Sequence, residues 1–441
     1  MILRVTVRNL YSFNKETEIS FVAGKSTSHN EQVCRAQKRD DISILKAGLI
    51  YGANASGKSN MIKAIALIQR IATRGIPQKN IEPFKLGEPN NLPSKIEMEF
   101  KVGKRNFAYG VEFTIRGILE EWFYEINDRK DKMIYTRKVV NGENKFEFGT
   151  INGNADTHQF VRFVSQGTTL KDSFLSEYVK RNGKGLNVIV EAYIWLSENL
   201  KILFPESRYR GISIRAEQDK EFAKATKSLL SYFNTGIVDV CRMKISKEEV
   251  DLPRNLIDKF ISEAKPNERV MIASDFGESF YMFEADKDGV NVLIYKQKTI
   301  HKLMNGKEVY FEMNEESDGS IRLLDFMPML IDLRLNDCVY LVDEIDRSMH
   351  PMLSRKLLEY YLHHLEDERK TQLIFTTHES NLLDLNVIRA DEVWFVEKGK
   401  DGASYLTSLA EYKPREDVRK GYLQGRYGAI PFFAPIKSLK W

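Results

Sequence analysis

Eight residues near the start of the chain have the composition of a phosphate cradle. Gly52-Ala53-Asn54-Ala55-Ser56-Gly57-Lys58-Ser59 places four residues between two glycines and follows the second with Lys and Ser. Glycines let successive backbone N–H groups wrap a phosphate, and a helix opening at the loop's end adds the positive end of its dipole. Lys58 suits the β- and γ-phosphates of a nucleotide, and Ser59 suits a Mg²⁺ ion. Gly52, Asn54, Gly57 and Asn60 complete the candidate phosphate-binding set. This mechanism needs a strand before the loop and a helix after it. Both are expected: Ala47 to Tyr51 is a short apolar run, and Asn60 to Thr73 carries apolar residues at helical spacing.

Two further stretches end in chemistry-bearing residues. Val339 to Val342 is an apolar run that meets Asp343 and Glu344. Asp343 suits a Mg²⁺ ligand, and Glu344 suits a general base that activates water. About thirty residues on, Leu373-Ile374-Phe375-Thr376-Thr377 runs into His378. A His at the carboxyl end of the next parallel strand faces the ligand edge of such a sheet and could reach a γ-phosphate or the attacking water. Upstream, Ser317 can cap an amphipathic helix, and Gly319 permits close backbone approach to a phosphate.

The rest of the chain supplies positioning elements. Residues 2 to 7 alternate as a strand, and a second strand is expected near Thr17 to Val22. Between Lys95 and Phe148 short alternating runs recur, with Asn141-Gly142 as a hairpin turn, so an antiparallel sheet is expected there. From Phe160 to about Phe233 the spacing turns helical, including Leu186–Leu203 and Lys220–Phe233. Residues 268 to 312 return to strands, with turns at Asp288-Gly289 and Asn305-Gly306. Runs at Cys338–Val342, Leu373–Thr376 and Val393–Val396, separated by helical segments, have the rhythm of a parallel sheet.

Composition narrows the field. The 441 residues are 42% apolar and 29% charged, a globular balance, with formal net charge +4. That argues against a general polycation that coats nucleic acid. Cys34, Cys241 and Cys338 lie far apart, which excludes a disulfide scaffold and fits a cytoplasmic protein. No apolar run is long enough for a membrane span. From Glu397 to Trp441 nine Lys/Arg face five acids, and Tyr412, Tyr422, Tyr427, Phe432 and Phe433 interleave. Bases could stack on such rings, or the segment could simply pack.

The order phosphate loop, capped helix, Asp-Glu strand and strand ending in His resembles the ABC-type ATPase head. The resemblance implies that Ser317, Asp318 and Gly319 stand for the signature motif that reaches the γ-phosphate of a partner subunit, with Glu316 at the family's leading Leu and Asp318 in place of a Gly. It implies a D-loop acid at Asp346 and a switch histidine at His378. The whole chain further resembles the compact ABC-like (AAA) ATPases of bacterial anti-phage modules, of RloA/AbiLi type and more loosely the PARIS ATPase. Gly52–Asn60, Ile81–Leu86, Glu316–Leu324, Asp343–Pro351 and Lys420–Pro431 carry it.

These resemblances imply an α/β fold: an ABC-ATPase head with a mixed or parallel core sheet, an antiparallel β lobe and a largely helical insert. The expected division is 1–94 and 268–441 for the two parts of the ATPase core, 95–150 for the β lobe and 151–267 for the insert. They imply ATP and Mg²⁺ as cofactors, a homo-oligomer with at least a dimer of heads, a DNA or phage-protein trigger, and a separate effector of Toprim-nuclease type. The alternative is a DNA-repair or DNA-clamp ATPase that binds DNA directly. A transporter motor is disfavoured by the large insert and the altered signature, and no membrane partner is expected.

Overall fold

The computed structural model describes residues 1–36, 41–79, 81–87, 92–127, 129–151, 153–274, 280–414 and 417–430. The chain divides into two units. The first comprises Met1–Pro205, Leu333–Arg347 and the residues from Leu357 on; the second comprises Glu206–Asp332 and Ser348–Lys356.

The first unit contains two large sheets. One has seven strands, all antiparallel, in the order Glu143–Phe148, Lys132–Val140, Gly117–Ile126, Arg105–Thr114, Ser94–Val102, Ile2–Arg8 and Thr17–Ser20. Alternation in these segments buries one face, as in Ser94–Val102, where Ile96, Met98 and Phe100 are fully buried. The expected Asn141-Gly142 turn is present, with both residues in the left-handed region. The other sheet has six strands in the order Leu200–Leu203, Val339–Val342, Gln372–Thr377, Ala47–Gly52, Val393–Lys398 and Ser404–Ser408. All its neighbours are parallel except the last pair. Its central strands are buried along their whole length, which is why they read as unbroken apolar runs.

The helix Lys58–Arg74 packs against strands of both sheets. Its stripe Met61, Ile62, Ile65, Ile68 and Ile71 is buried in one continuous core with Val5, Ile50, Met98 and Leu341. Gln372, fully buried, ties the sheets directly. Its Oε1 accepts the Ile2 N–H (2.7 Å), and its amide donates to the Ile2 and Leu45 carbonyls.

A second polar cluster braces the seven-stranded sheet. Glu121 and Arg137 form an ion pair with both side chains fully buried. Glu121 also accepts from the Tyr109 and Tyr135 hydroxyls and from the Phe174 N–H. Arg137 donates to Asn144 Oδ1 and to the carbonyls of Asp172 and Thr169. The cluster thus joins four strands to the start of the helix Phe174–Lys180.

The second unit is built on a five-stranded antiparallel sheet. The strand Val292–Lys302 pairs with Ile237–Ile245, Phe280–Ala285 and Glu308–Glu312, and Arg269–Ala273 pairs with Phe280–Ala285. Both expected turns appear, with Gly289 and Gly306 at positive φ. Ile257 on the helix Arg254–Ser262 packs with Tyr281, Phe283 and Ile294.

Two sequence expectations need correction. The helical spacing over Leu186–Leu203 holds only through Ile194. A π-helical turn over Trp195–Asn199 follows, and then Leu200–Leu203 is the edge strand of the parallel sheet. Pairing with Val339–Val342 overrides the local period there. Ile237–Ile245, inside the stretch expected to be mainly helical, is likewise a strand, held by its long pairing with Val292–Lys302.

Candidate active site

Three adjacent parallel strands end together, and each delivers one part of the site. Ala47–Gly52 leads into the loop that opens the helix Lys58–Arg74. Val339–Val342 leads into Asp343 and Glu344, and Gln372–Thr377 leads into His378. The registers Val342↔Phe375 and Thr377↔Tyr51 bring these carboxyl ends level.

The loop is shaped by close packing. Gly57 sits at φ +117°, and a Cβ there would lie 2.2 Å from Ser404 Oγ and 2.7 Å from Ser12 Oγ. A Cβ on Gly52 would lie 2.6 Å from the Val396 carbonyl oxygen. Ser404 donates its N–H to the Ser12 carbonyl (2.8 Å), and its Oγ sits within hydrogen-bond reach of Ser12 Oγ and the Ser56 carbonyl. A turn of the antiparallel sheet and the edge strand Ser404–Ser408 therefore grip the loop from outside. Ile81–Leu86 is tied to the same turn, since the Glu82 carbonyl accepts the Tyr11 N–H. Asn54 is exposed, and Ser59 and Asn60 are half-buried.

The charged groups converge behind the loop. Lys58 is buried, and its Nζ donates to the Gly52 (2.8 Å) and Ala53 (3.1 Å) carbonyls. Burial pulls its pKa down to about 8, against the opposing pull of Asp343, Asp346 and Glu344. Ser59 Oγ donates to Asp343 Oδ1 at 3.0 Å. The same carboxylate oxygen accepts from Thr376 Oγ1 at 2.6 Å, and Thr376 Oγ1 accepts the Glu344 N–H at 2.7 Å. A single threonine thus fixes both carboxylate residues. Glu344 is held at φ +53°, a left-handed conformation that a non-glycine residue adopts only under constraint. Asp346 accepts the His378 N–H on Oδ2 (3.2 Å), while its Oδ1 is buried with no hydrogen-bond partner. His378 itself is exposed. Partial removal from water, followed by the Lys58 ammonium, holds its imidazole below the ordinary value, so it is neutral at pH 7.

Ser59 Oγ and the Asp343 carboxylate are hard oxygen donors side by side, and they fit Mg²⁺. Among the described residues no group of three or more His, Cys, Asp or Glu could hold a metal alone. A Mg²⁺ here would complete its shell with water and phosphate oxygens.

Ser317, Asp318 and Gly319 belong to the second unit. Ser317 Oγ accepts the Ser320 N–H at 3.1 Å, capping the helix Asp318–Leu335. Ser317 and Asp318 are exposed. Gly319 has a local reason to lack a side chain, because a Cβ would lie 3.0 Å from the Ser348 carbonyl.

Sequence reasoning missed Thr376, Ser404 and Ser12. For Thr376 a signal existed: it is a polar residue in a buried strand, two positions before His378. For the two serines there was none, since their role arises only where distant turns meet. The tail aromatics read differently in three dimensions. Tyr422 and Tyr427 are buried, each stacked on Phe395. These two rings are core, not a base-stacking surface. Phe432 and Phe433 lie outside the described residues.

A glycine-rich loop beside a strand-borne Asp-Glu pair, on a largely parallel sheet, is the arrangement of an AAA-type ATPase. The chain belongs to the family described as "AAA domain, putative AbiEii toxin, Type IV TA system", whose model matches residues 49–384. No curated protein matches it. Among solved structures it is similar to an SMC head domain from Thermotoga maritima, at 12% identity over 92% of this chain and 98% of that one, with a TM-score of 0.37. It is also similar to an SMC head bound to the C-winged helix domain of ScpA, at 14% identity over 93% and 99%, with a TM-score of 0.40. Among the described residues no helix is long and apolar enough to cross a membrane.

Proposed function

We propose that this chain is an ABC-type ATPase that binds and hydrolyses ATP with Mg²⁺, and that it senses or gates a separate effector nuclease in bacterial defence against phage. One observation carries the enzymatic part: the hydrogen-bonded series Ser59–Asp343–Thr376–Glu344, assembled from three strand ends beside the buried Lys58. The family's description as a toxin–antitoxin component supports the defensive setting.

In this reading the loop amides and Lys58 hold the phosphates, and Ser59 with Asp343 holds the metal. Bound Mg²⁺ supplies charge neutralisation at the β- and γ-phosphates. Glu344 takes a proton from the attacking water. Neutral His378 donates a hydrogen bond to the γ-phosphate, its backbone fixed by Asp346, the D-loop acid. Ser317, Asp318 and Gly319 of a second copy complete the site, so two chains enclose two nucleotides. Their exposure at a capped helix start supports this role.

The test is a mass determination of the purified Glu344→Gln chain in solution with and without Mg-ATP, beside a turnover assay of wild type and variant. ATP-dependent dimers and lost turnover are expected. Turnover equal to wild type would remove Glu344 from the base role. A monomer under both conditions would remove the shared site.

A further inference from the structure

The parallel sheet has a second charged end. At the amino edge of the strand Gln372–Thr377, opposite the nucleotide loop, lies a cavity of about 490 Å³. With six residues in that strand, the two ends stand roughly 20 Å apart. Its wall is formed by the turn at Gly103, the end of the strand Gly117–Ile126 and the segment that precedes Gln372. All of this lies in the first unit.

Among the described residues the wall is strongly basic, with seven Lys/Arg against two carboxylates, Asp41 and Glu125. Part of that charge is accounted for. Lys101 pairs with Asp41, Arg105 pairs with Glu191, and Lys370 donates to the Gly103 carbonyl. Among the described residues, no carboxylate pairs with Arg35, Lys104, Arg129 or Lys130. Four like charges around one concavity repel one another and raise the local potential for anions. The cavity also has a buried polar wall group. Asn106 is 7% exposed, and its side-chain Oδ1 has no hydrogen-bond partner. A buried acceptor left unpaired is costly and calls for a donor.

We infer that this cavity binds a nucleotide unit: these cations take its phosphate, and the Asn106 carboxamide takes an N–H or O–H of its base or sugar. A phosphate ion alone would leave most of the cavity unfilled, whereas a base or sugar supplies both the volume and the donor. The volume lies in the range of small-ligand sites and is too narrow for a duplex to enter. The unit is therefore either a free nucleotide or one residue of a single strand. The inference rests on the cavity alone and stands whether or not the loop at the other end hydrolyses ATP.

The test uses the full chain, a fluorescein-labelled single-stranded dodecamer read by anisotropy, and an unlabelled 5′-phosphorylated dinucleotide as competitor. A Lys104→Ala/Arg129→Ala/Lys130→Ala variant, altering exposed side chains only, should weaken dodecamer binding at least tenfold. It should also flatten the log–log salt slope by about 0.7, as expected for one lost phosphate contact on a single strand. ATP turnover should be unchanged. Asn106→Leu should weaken binding with the salt slope intact. Competition by the dinucleotide marks a unit of one or two nucleotides as sufficient ligand, and dodecamer binding without competition marks a longer strand; either supports the site. Wild type that binds neither probe, or a triple variant that binds as wild type does, would overturn it.

Discussion

The first unit holds two clusters of buried carboxylate and cation that obey opposite rules. Around Glu121 and Arg137 nearly every polar atom is satisfied: two tyrosine hydroxyls, a backbone N–H, an amide and two carbonyls close the pair off. Burial and the Glu121 charge push both tyrosine hydroxyls well above their ordinary pKa, so they stay protonated donors. Around Asp343 and Glu344 the chain leaves business unfinished. Asp346 Oδ1 is unpaired, Glu344 is held at positive φ, and Lys58 Nζ donates to backbone carbonyls rather than to a carboxylate. Saturated polar networks fix a structure. Strained and partly unpaired ones are ready for something that arrives later. The same residue types therefore serve stability in one place and chemistry in the other.

The sharpest way to break this contrast is to unpair the saturated cluster. Arg137→Met leaves Glu121 as an uncompensated buried charge and should cost about 3–5 kcal/mol. A denaturant titration would read it, and nucleotide affinity of the folded fraction should stay at the wild-type value. If affinity fell in parallel, the two clusters would be one unit.

Glu344 should behave in the reverse manner. Glu344→Gln should lower turnover roughly 10²–10⁴-fold, as for a lost general base, with an unchanged unfolding midpoint. Glu344→Gly should lose turnover equally, yet hold or raise the midpoint, because it relieves a backbone strain of about 1–3 kcal/mol. A lowered midpoint for Gly would show that the side chain, not the site's chemistry, is what the fold needs there.

Thr376→Val sharpens the comparison at one atom. It unpairs the Glu344 N–H and removes a donor from Asp343, at a cost of about 1–3 kcal/mol. Both stability and turnover should drop, since this threonine is the saturated edge of the unsaturated site. Loss of one without the other would separate its two hydrogen bonds.

The smallest effect is on pH. Burial depresses the Lys58 ammonium to about 8, and phosphate selects the charged form. Nucleotide affinity should be level below pH 8 and weaken by up to tenfold per unit as the proton is lost above it, about 1.4 kcal/mol per unit. Fluorescent-nucleotide titrations from pH 6.5 to 9.5 would show this. A flat profile would mean that Lys58 does not contact the phosphates.

What the sequence by itself determined is what lies within one element and its next turn. The loop Gly52–Ser59, the strand before it and the helix after it obey local rules of backbone freedom and apolar period. The placement of Asp343, Glu344 and His378 at strand ends was legible because a short run of buried apolar residues lies just before them. What only the tertiary structure decided depends on residues far apart in the chain. Leu200–Leu203 is a strand because Val339–Val342 offers it a partner, and no local period announces that. Ser12 and Ser404 hold Gly57 across nearly four hundred residues, Gln372 links the two sheets, and lysines and arginines from distant segments gather at one sheet end. Pairing, burial and field are properties of proximity in space, and a linear pattern carries them only where neighbours in the sequence are also neighbours in the fold.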